Sequence, residues 1–235
     1  MSKPHDTAGF RSKYRREMDT NYSGWFHLSS VVLISLFAAT YCVVQIDQPD
    51  AMDWLVIPLG IVAYNLVEYV SHRWAGHLKT PLTKMFYKRH TGDHHSFFSA
   101  PLLSFESSKD WRIVLFPTYL TAFQALVVAP AFGYASAELL SLNAGFIMAT
   151  TMILNHLAFE LLHVGYHQPI NHWFHKIPVC RELAHLHRIH HHRTLMKTHN
   201  FNLTFPLFDL MLGTYYWEPL DSFDDFAEAE THEPS

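Results

Sequence analysis

Fourteen of the 19 histidines fall in two short stretches, His72 to His95 and His163 to His192, each beginning where a long apolar segment ends. Within them the imidazoles recur at ligand spacing: His72/His77, His90/His94/His95, His163/His167 and His187/His190/His191/His192. Neutral imidazole is the commonest metal ligand and suits iron, copper, zinc and nickel. Four clusters exceed what one ion can take and suggest a site of about two metals.

Helix geometry predicts how the clusters divide. Residues four apart differ by about 40° in direction and residues three apart by about 60°. His163 and His167 can therefore hold one metal from one helix face. His187, His190 and His191 likewise share a face, as do His90 and His94, whereas His95 lies about 100° further round and is directed to the partner metal. His72 and His77 stand about 140° apart on a straight helix. Gly76 lets the chain break between them, so the helix should distort there.

Other candidates are weighed one by one. His156 lies two turns before His163 on the same face, inside an apolar segment where ionisable groups are costly and usually functional. His192 offers the last cluster an alternative register. Glu68, one turn before His72, Glu160, three residues before His163, and Asp93, beside His94, are placed to orient imidazoles through the far ring nitrogen. His5, His27 and His232 are isolated and read as solvated or interfacial. His172 and His175 read as loop residues beside Trp173 and Phe174.

These clusters must be positioned by membrane helices. Of 235 residues, 49% are hydrophobic and 16% charged, against roughly 25% charged in ordinary soluble domains. A span needs about 20 largely apolar residues, and four segments approach that: Trp25–Val44, Trp54–Val70, Ile113–Phe132 and Leu139–Leu162. Pro58, Pro117 and Pro130 should kink or end helices near them. The loops on one side, Gln45–Asp53 and Gly133–Glu138, contain no Lys or Arg, and all 17 lie in the regions sharing the other side. By the positive-inside rule, both termini and both histidine stretches face the cytoplasm. The expected fold is all-α and integral to the membrane, about four transmembrane helices with a histidine-rich dimetal site on their cytosolic side. It is read as a single domain over 1–235, with an N-terminal arm at 1–24 and a mobile acidic tail at 221–235.

Composition excludes several classes. Cys42 and Cys180 make no disulfide framework or metal knuckle. A net charge of −4 without a basic aromatic stripe argues against nucleic acid. The nine glycines form no GxGxxG, so no nicotinamide or flavin domain is recognisable. No GxSxG elbow supports a hydrolase. A membrane haem cytochrome usually places paired histidines at membrane depth, whereas most here lie beyond the span ends. A metal transporter needs ionisable residues along its path, yet the first and third segments carry no Asp, Glu or His beyond His27.

The clusters H72-x4-H77, H90-x3-H94-H95, H163-x3-H167 and H187-x2-H190-H191 resemble the histidine boxes of the fatty acid hydroxylase/sterol desaturase superfamily of membrane di-iron oxygenases. The segment His199–Thr214 resembles its closing signature, with Asn200 and Asp209 in expected structural roles. The resemblance covers about Glu68 to Tyr215. It implies a cytosolic helical cap over two iron ions held by His72, His77, His90, His94, His95, His163, His167, His187, His190 and His191; His192 and, from its place in the fourth segment, His156 stay as further candidates. It also implies O2 as co-substrate and hydroxylation of a fatty-acyl or related lipid C–H bond, with desaturation or sterol or carotenoid hydroxylation as alternatives. Such chemistry needs a redox-active metal, which zinc is not. Electrons would come from a separate donor, a small haem protein or a ferredoxin with its reductase, docking near Lys84, Lys88, Arg89, Arg188 and Arg193. The host membrane would be a bacterial inner membrane or the endoplasmic reticulum. Trp74, Phe97, Phe98, Phe159 and Trp173 are candidates to line an acyl tunnel.

Overall fold

A computed structural model describes residues 5–99 and 102–219; the acidic stretch 221–235 and His232 lie outside the described residues. The four apolar stretches form helices α2 (Gly24–Val44), α3 (Asp53–Gly76), α6 (Thr118–Leu139) and α7 (Leu142–Tyr166), each long and apolar enough to cross a membrane. No β-strand occurs among the described residues. Side-chain caps start the first and last of these: Ser23 Oγ accepts from the Phe26 amide at 3.3 Å, and Ser141 Oγ from the Ala144 amide at 3.0 Å. Trp25, Phe26, Leu33 and Phe37 on α2 stay exposed on the outside of the bundle, where lipid would cover them.

The spans differ from the expected ones at their ends. The third begins at Thr118, because Leu115 and Pro117 adopt extended backbone and separate a short helix α5 (Trp111–Val114). It continues past Phe132 to Leu139, so the loop expected at Gly133–Glu138 is helical and the connection to α7 shrinks to 140–141. Close contact permits this: a Cβ on Gly133 would lie 2.8 Å from the Gly145 carbonyl, so these two glycines let α6 and α7 touch backbone to backbone. Pro130 does not stop α6, since a π-helical turn at Gln124–Val128 immediately precedes it and has already reorganised the carbonyl pairing. Pro58 sits in the first turn of the α-helical part of α3, where no amide donor is required.

α7 is the central post: 61% of its most apolar window is buried, against 28–33% for the other three. α2, α3 and α6 pack around it, with Met148, Met152, Ile153 and Ala129 in the shared core. At one end the acidic connections close on α7, where Asn143 exchanges two hydrogen bonds with the Asp47 backbone (2.7 and 3.0 Å) and Ser141 donates to Asp53. At the other end lies a helical cap built from α1 (Thr7–Glu17), α4 (a broken helix over 84–97), α5, α8 (Pro178–His190) and α9 (Leu207–Met211). Within the N-terminal arm, Phe10 and Tyr14 of α1 pack on a second core containing Phe97, Phe98 and Leu115.

Candidate metal centre

The last turn of α3, Ser71–Gly76, and the middle of α4, Lys88–His94, are both π-helical. A π-helical turn bonds residue i to i+5 and so brings residues five apart onto one side. His72 pairs with His77 in this way, and His90 with His95, whose Nε2 atoms are 3.0 Å apart. The expected distortion between His72 and His77 takes this form. Gly76 makes room for it, since a Cβ there would lie 2.9 Å from His90 Cδ2.

Two groups of imidazoles result. His72, His77, His90, His95 and His190 form one, and His94, His163, His167 and His187 the other, with nitrogen atoms in each within 4.8 Å of one another. His191 stands beside the second group, its Nε2 3.0 Å from those of His94 and His187, while its ring lies 4.4 Å from that of His95. The partition differs from the one α-helical spacing predicts. His90 goes with His95 and not with His94, because α4 is π-helical there. His187 and His190, three apart on α8, fall in different groups. His163 and His167, four apart on α7, fall together as expected.

Among the described residues, the remaining histidines lie outside both groups. His192 Nδ1 bonds Thr194 Oγ1 at 2.8 Å, and His156 Nδ1 bonds the Tyr64 hydroxyl at 3.1 Å. His5, His27 and His175 bond main-chain carbonyls of Ser96, Phe116 and Gln168.

The hydrogen bonds fix the chemistry of the facing nitrogens. A carbonyl oxygen can only accept, so an imidazole Nδ1 bonded to one must carry the proton and leave Nε2 as a lone pair. His72, His94, His167, His190 and His191 donate from Nδ1 to the carbonyls of Phe201, Ile113, Leu103, His199 and Phe98. His77 joins them: the Thr91 hydroxyl spends its proton on the Gly76 carbonyl and accepts from His77 Nδ1 at 3.1 Å. The approaches of His77 to His190 (3.1 Å) and of His94 to His191 (3.0 Å) therefore set two lone pairs against each other. Such contacts repel unless a cation lies between them. Nitrogens bound at right angles to one metal at about 2.1 Å stand about 3.0 Å apart, and the Nε2 contacts within the groups run from 2.8 to 3.3 Å.

Burial keeps these rings uncharged. Loss of hydration pushes His77 down to about 2 and His167 to about 3. Desolvation, reinforced by neighbouring imidazoles, holds His90, His94, His95, His187, His190 and His191 well below the ordinary value. All are neutral near pH 7, the state a metal requires.

The acidic residues expected to orient the imidazoles act elsewhere. Glu68 accepts from the Leu203 amide and, at 3.0 and 2.5 Å, from the Thr204 amide and hydroxyl. Glu160 accepts from the Phe116 amide at 3.2 Å, with His156 Nε2 3.6 Å away. Asp93 is half-buried, which raises its carboxyl, among Lys88, Arg89 and Arg112, which lower it. The carboxylates brace the chain, and main-chain carbonyls hold the rings.

Residues that supply those carbonyls were not all legible from spacing. The closing segment presents His199 and Phe201. Asn200, at φ 55°, bonds the Leu186 and Tyr216 carbonyls, and Asp209 accepts from the Phe201 and Asn202 amides and the Thr214 hydroxyl. Arg11 belongs to no motif in the sequence. Buried at 2% exposure, it donates to the carbonyls of Phe97 (2.8 Å), Leu102 (2.5 Å) and Ser104 (3.0 Å). Those positions flank Phe98 and Leu103, whose carbonyls hold His191 and His167. Only its place in a basic amphipathic helix hinted at a role.

A cavity of about 280 Å³ runs from the imidazoles into the bundle. His72 and His90 of one group and His94 and His163 of the other reach its wall, and Val67, Phe116, Leu120, Phe123, Met152 and Phe159 make it apolar. Of the aromatics expected to line a tunnel, Phe159 does so. Phe97 and Phe98 are fully buried in the cap core, and Trp74 and Trp173 are exposed.

Four apolar helices capped by two groups of imidazoles that could each hold a metal ion, with an apolar cavity opening on both, make up a multi-pass membrane architecture. The chain belongs to the fatty acid hydroxylase family, whose family model matches residues 57–214, within the fatty acid hydroxylase/sterol desaturase superfamily. No match appears among curated proteins or among solved structures.

Proposed function

We propose that this protein is a lipid C–H hydroxylase that uses two iron ions, one in each imidazole group, with His72, His77, His90, His95 and His190 holding the first and His94, His163, His167, His187 and His191 the second. The observation that carries this reading is the apolar cavity that meets both groups at once. Bound there, the iron pair would supply the redox chemistry for activating O2. One oxygen atom enters the C–H bond and the other leaves as water, with two electrons and two protons supplied from outside.

The chain's own residues prepare that reaction. Five carbonyl-bonded Nδ1 atoms, with that of His77 on the Thr91 hydroxyl, fix the tautomers and directions of six imidazoles, so the cages are preorganised. Phe116, Phe159 and Met152 exclude water and hold an apolar chain against the inner faces of His94 and His163. The cap is read as cytosolic, because the opposite connections carry no Lys or Arg. Exposed Lys84, Lys88 and Arg193 beside it suit an acidic electron donor.

Lipid profiling of cells with and without expression tests the activity, read as a mass gain of one oxygen for hydroxylation or a loss of two hydrogens for desaturation. Alanine at His94, His167 or His190 should abolish product and lower bound metal. Unchanged activity in any two of these, or active protein free of iron, would reject the assignment.

A further inference from the structure

The deep end of the cavity is not wholly apolar. Gln124, in the π-helical turn of α6, and His156 and Tyr64 line it among Leu120, Phe123 and Val128. Gln124 is nine-tenths buried, and its Nε2 donates to the Met152 carbonyl at 3.1 Å. That carbonyl can only accept, so the amide cannot be turned round. Its Oε1 is left as a buried acceptor without a hydrogen-bond partner, and His156 Nε2, one turn of α7 closer to the cages, likewise has none. A buried acceptor beside an apolar cavity costs free energy unless a group brought into that cavity donates to it.

We infer that Gln124 reads a hydroxyl group on the lipid, so that the cavity takes a lipid whose apolar body already carries an alcohol. Along α7, Met152 lies about 16 Å from His163 and His156 about 10 Å. The hydroxyl therefore sits well away from the carbon presented to the cages, and its position sets which carbon arrives there. The binding site rests on the cavity alone; the statement about which carbon is oxidised rests on the hydroxylase reading.

Equilibrium binding to the metal-loaded, full-length protein in nanodiscs, with O2 excluded, tests this. The probes are a positional series of hydroxystearates against stearate, and cholestanol against cholestane. In one arm the wild type should prefer the alcohol about tenfold, which also tells a flexible chain from a rigid ring system. Gln124→Leu should remove that preference while leaving bound metal unchanged; Gln124→Met serves if the leucine variant fails to fold. Equal binding of alcohol and deoxy probes by the wild type in both arms would overturn the inference, as would a preference that survives both substitutions. Binding is read without turnover, so a preference for alcohols in a protein that oxygenates no lipid would sink the hydroxylase reading and leave this one standing.

Discussion

At the scale of single residues, the imidazoles are aimed by the main chain. Five Nδ1 atoms donate to carbonyls spread from Phe98 to Phe201. A side chain can be replaced by a shorter one, but a carbonyl moves only if its segment moves. The last cluster tests the distinction between neighbours. His191→Ala should lower bound metal and product, because His191 Nε2 meets His94 and His187. His192→Ala, whose ring bonds Thr194, should keep both near wild-type levels; metal analysis of the two purified variants decides. Arg11 acts one step further out. Arg11→Ala should strip three carbonyls of their donor, costing about 1–3 kcal/mol of stability, and should weaken metal retention through His167 and His191. Arg11→Lys, a single-point donor, should recover only part of that retention. A thermal shift without any change in metal retention would confine Arg11 to a stabilising role.

At the scale of elements, the π-helical turns at Ser71–Gly76 and Lys88–His94 do what α-helical spacing cannot. They align His72 with His77 and His90 with His95, which turns His94 toward the other group. The break near Gly76 was legible, because a glycine between two five-spaced histidines is a weak point in a helix. The turn at 88–94 was not, because Gly92 there meets nothing closer than 3.7 Å and the π-helical geometry is imposed by packing. Gly76→Val should push His90 aside through its new side chain and lower metal content, with the membrane bundle intact by circular dichroism. Retention of both metals in that variant would mean that α4 yields easily. The ends of α6 show the same limit. Pro117 and Pro130 are equally visible in the sequence, yet one precedes the helix and the other is accommodated within it.

At the scale of the whole molecule, the cages sit at the junction of the bundle and the cap, drawing on α3, α4, α7 and α8. Metal should therefore hold the halves together. Removal by a chelator leaves facing lone pairs between His77 and His190 and between His94 and His191, which repel. The midpoint of thermal unfolding should fall on chelation and recover as iron is restored, in proportion to the logarithm of its free concentration. A midpoint indifferent to chelator would mean that packing alone holds the cap.

The sequence by itself determined the four apolar helices, the convergence of the histidine stretches at one end and the set of imidazoles that meet there, because length, hydropathy and an even number of spans follow from residue order. Only the tertiary structure decided which imidazole joins which group, which carbonyl holds each ring, and that an apolar cavity with a buried glutamine reaches both groups. Those outcomes depend on contacts between segments as far apart as Arg11 and Leu102 or His72 and Phe201. Local spacing carries no information about such partners, since they are chosen by how whole helices pack.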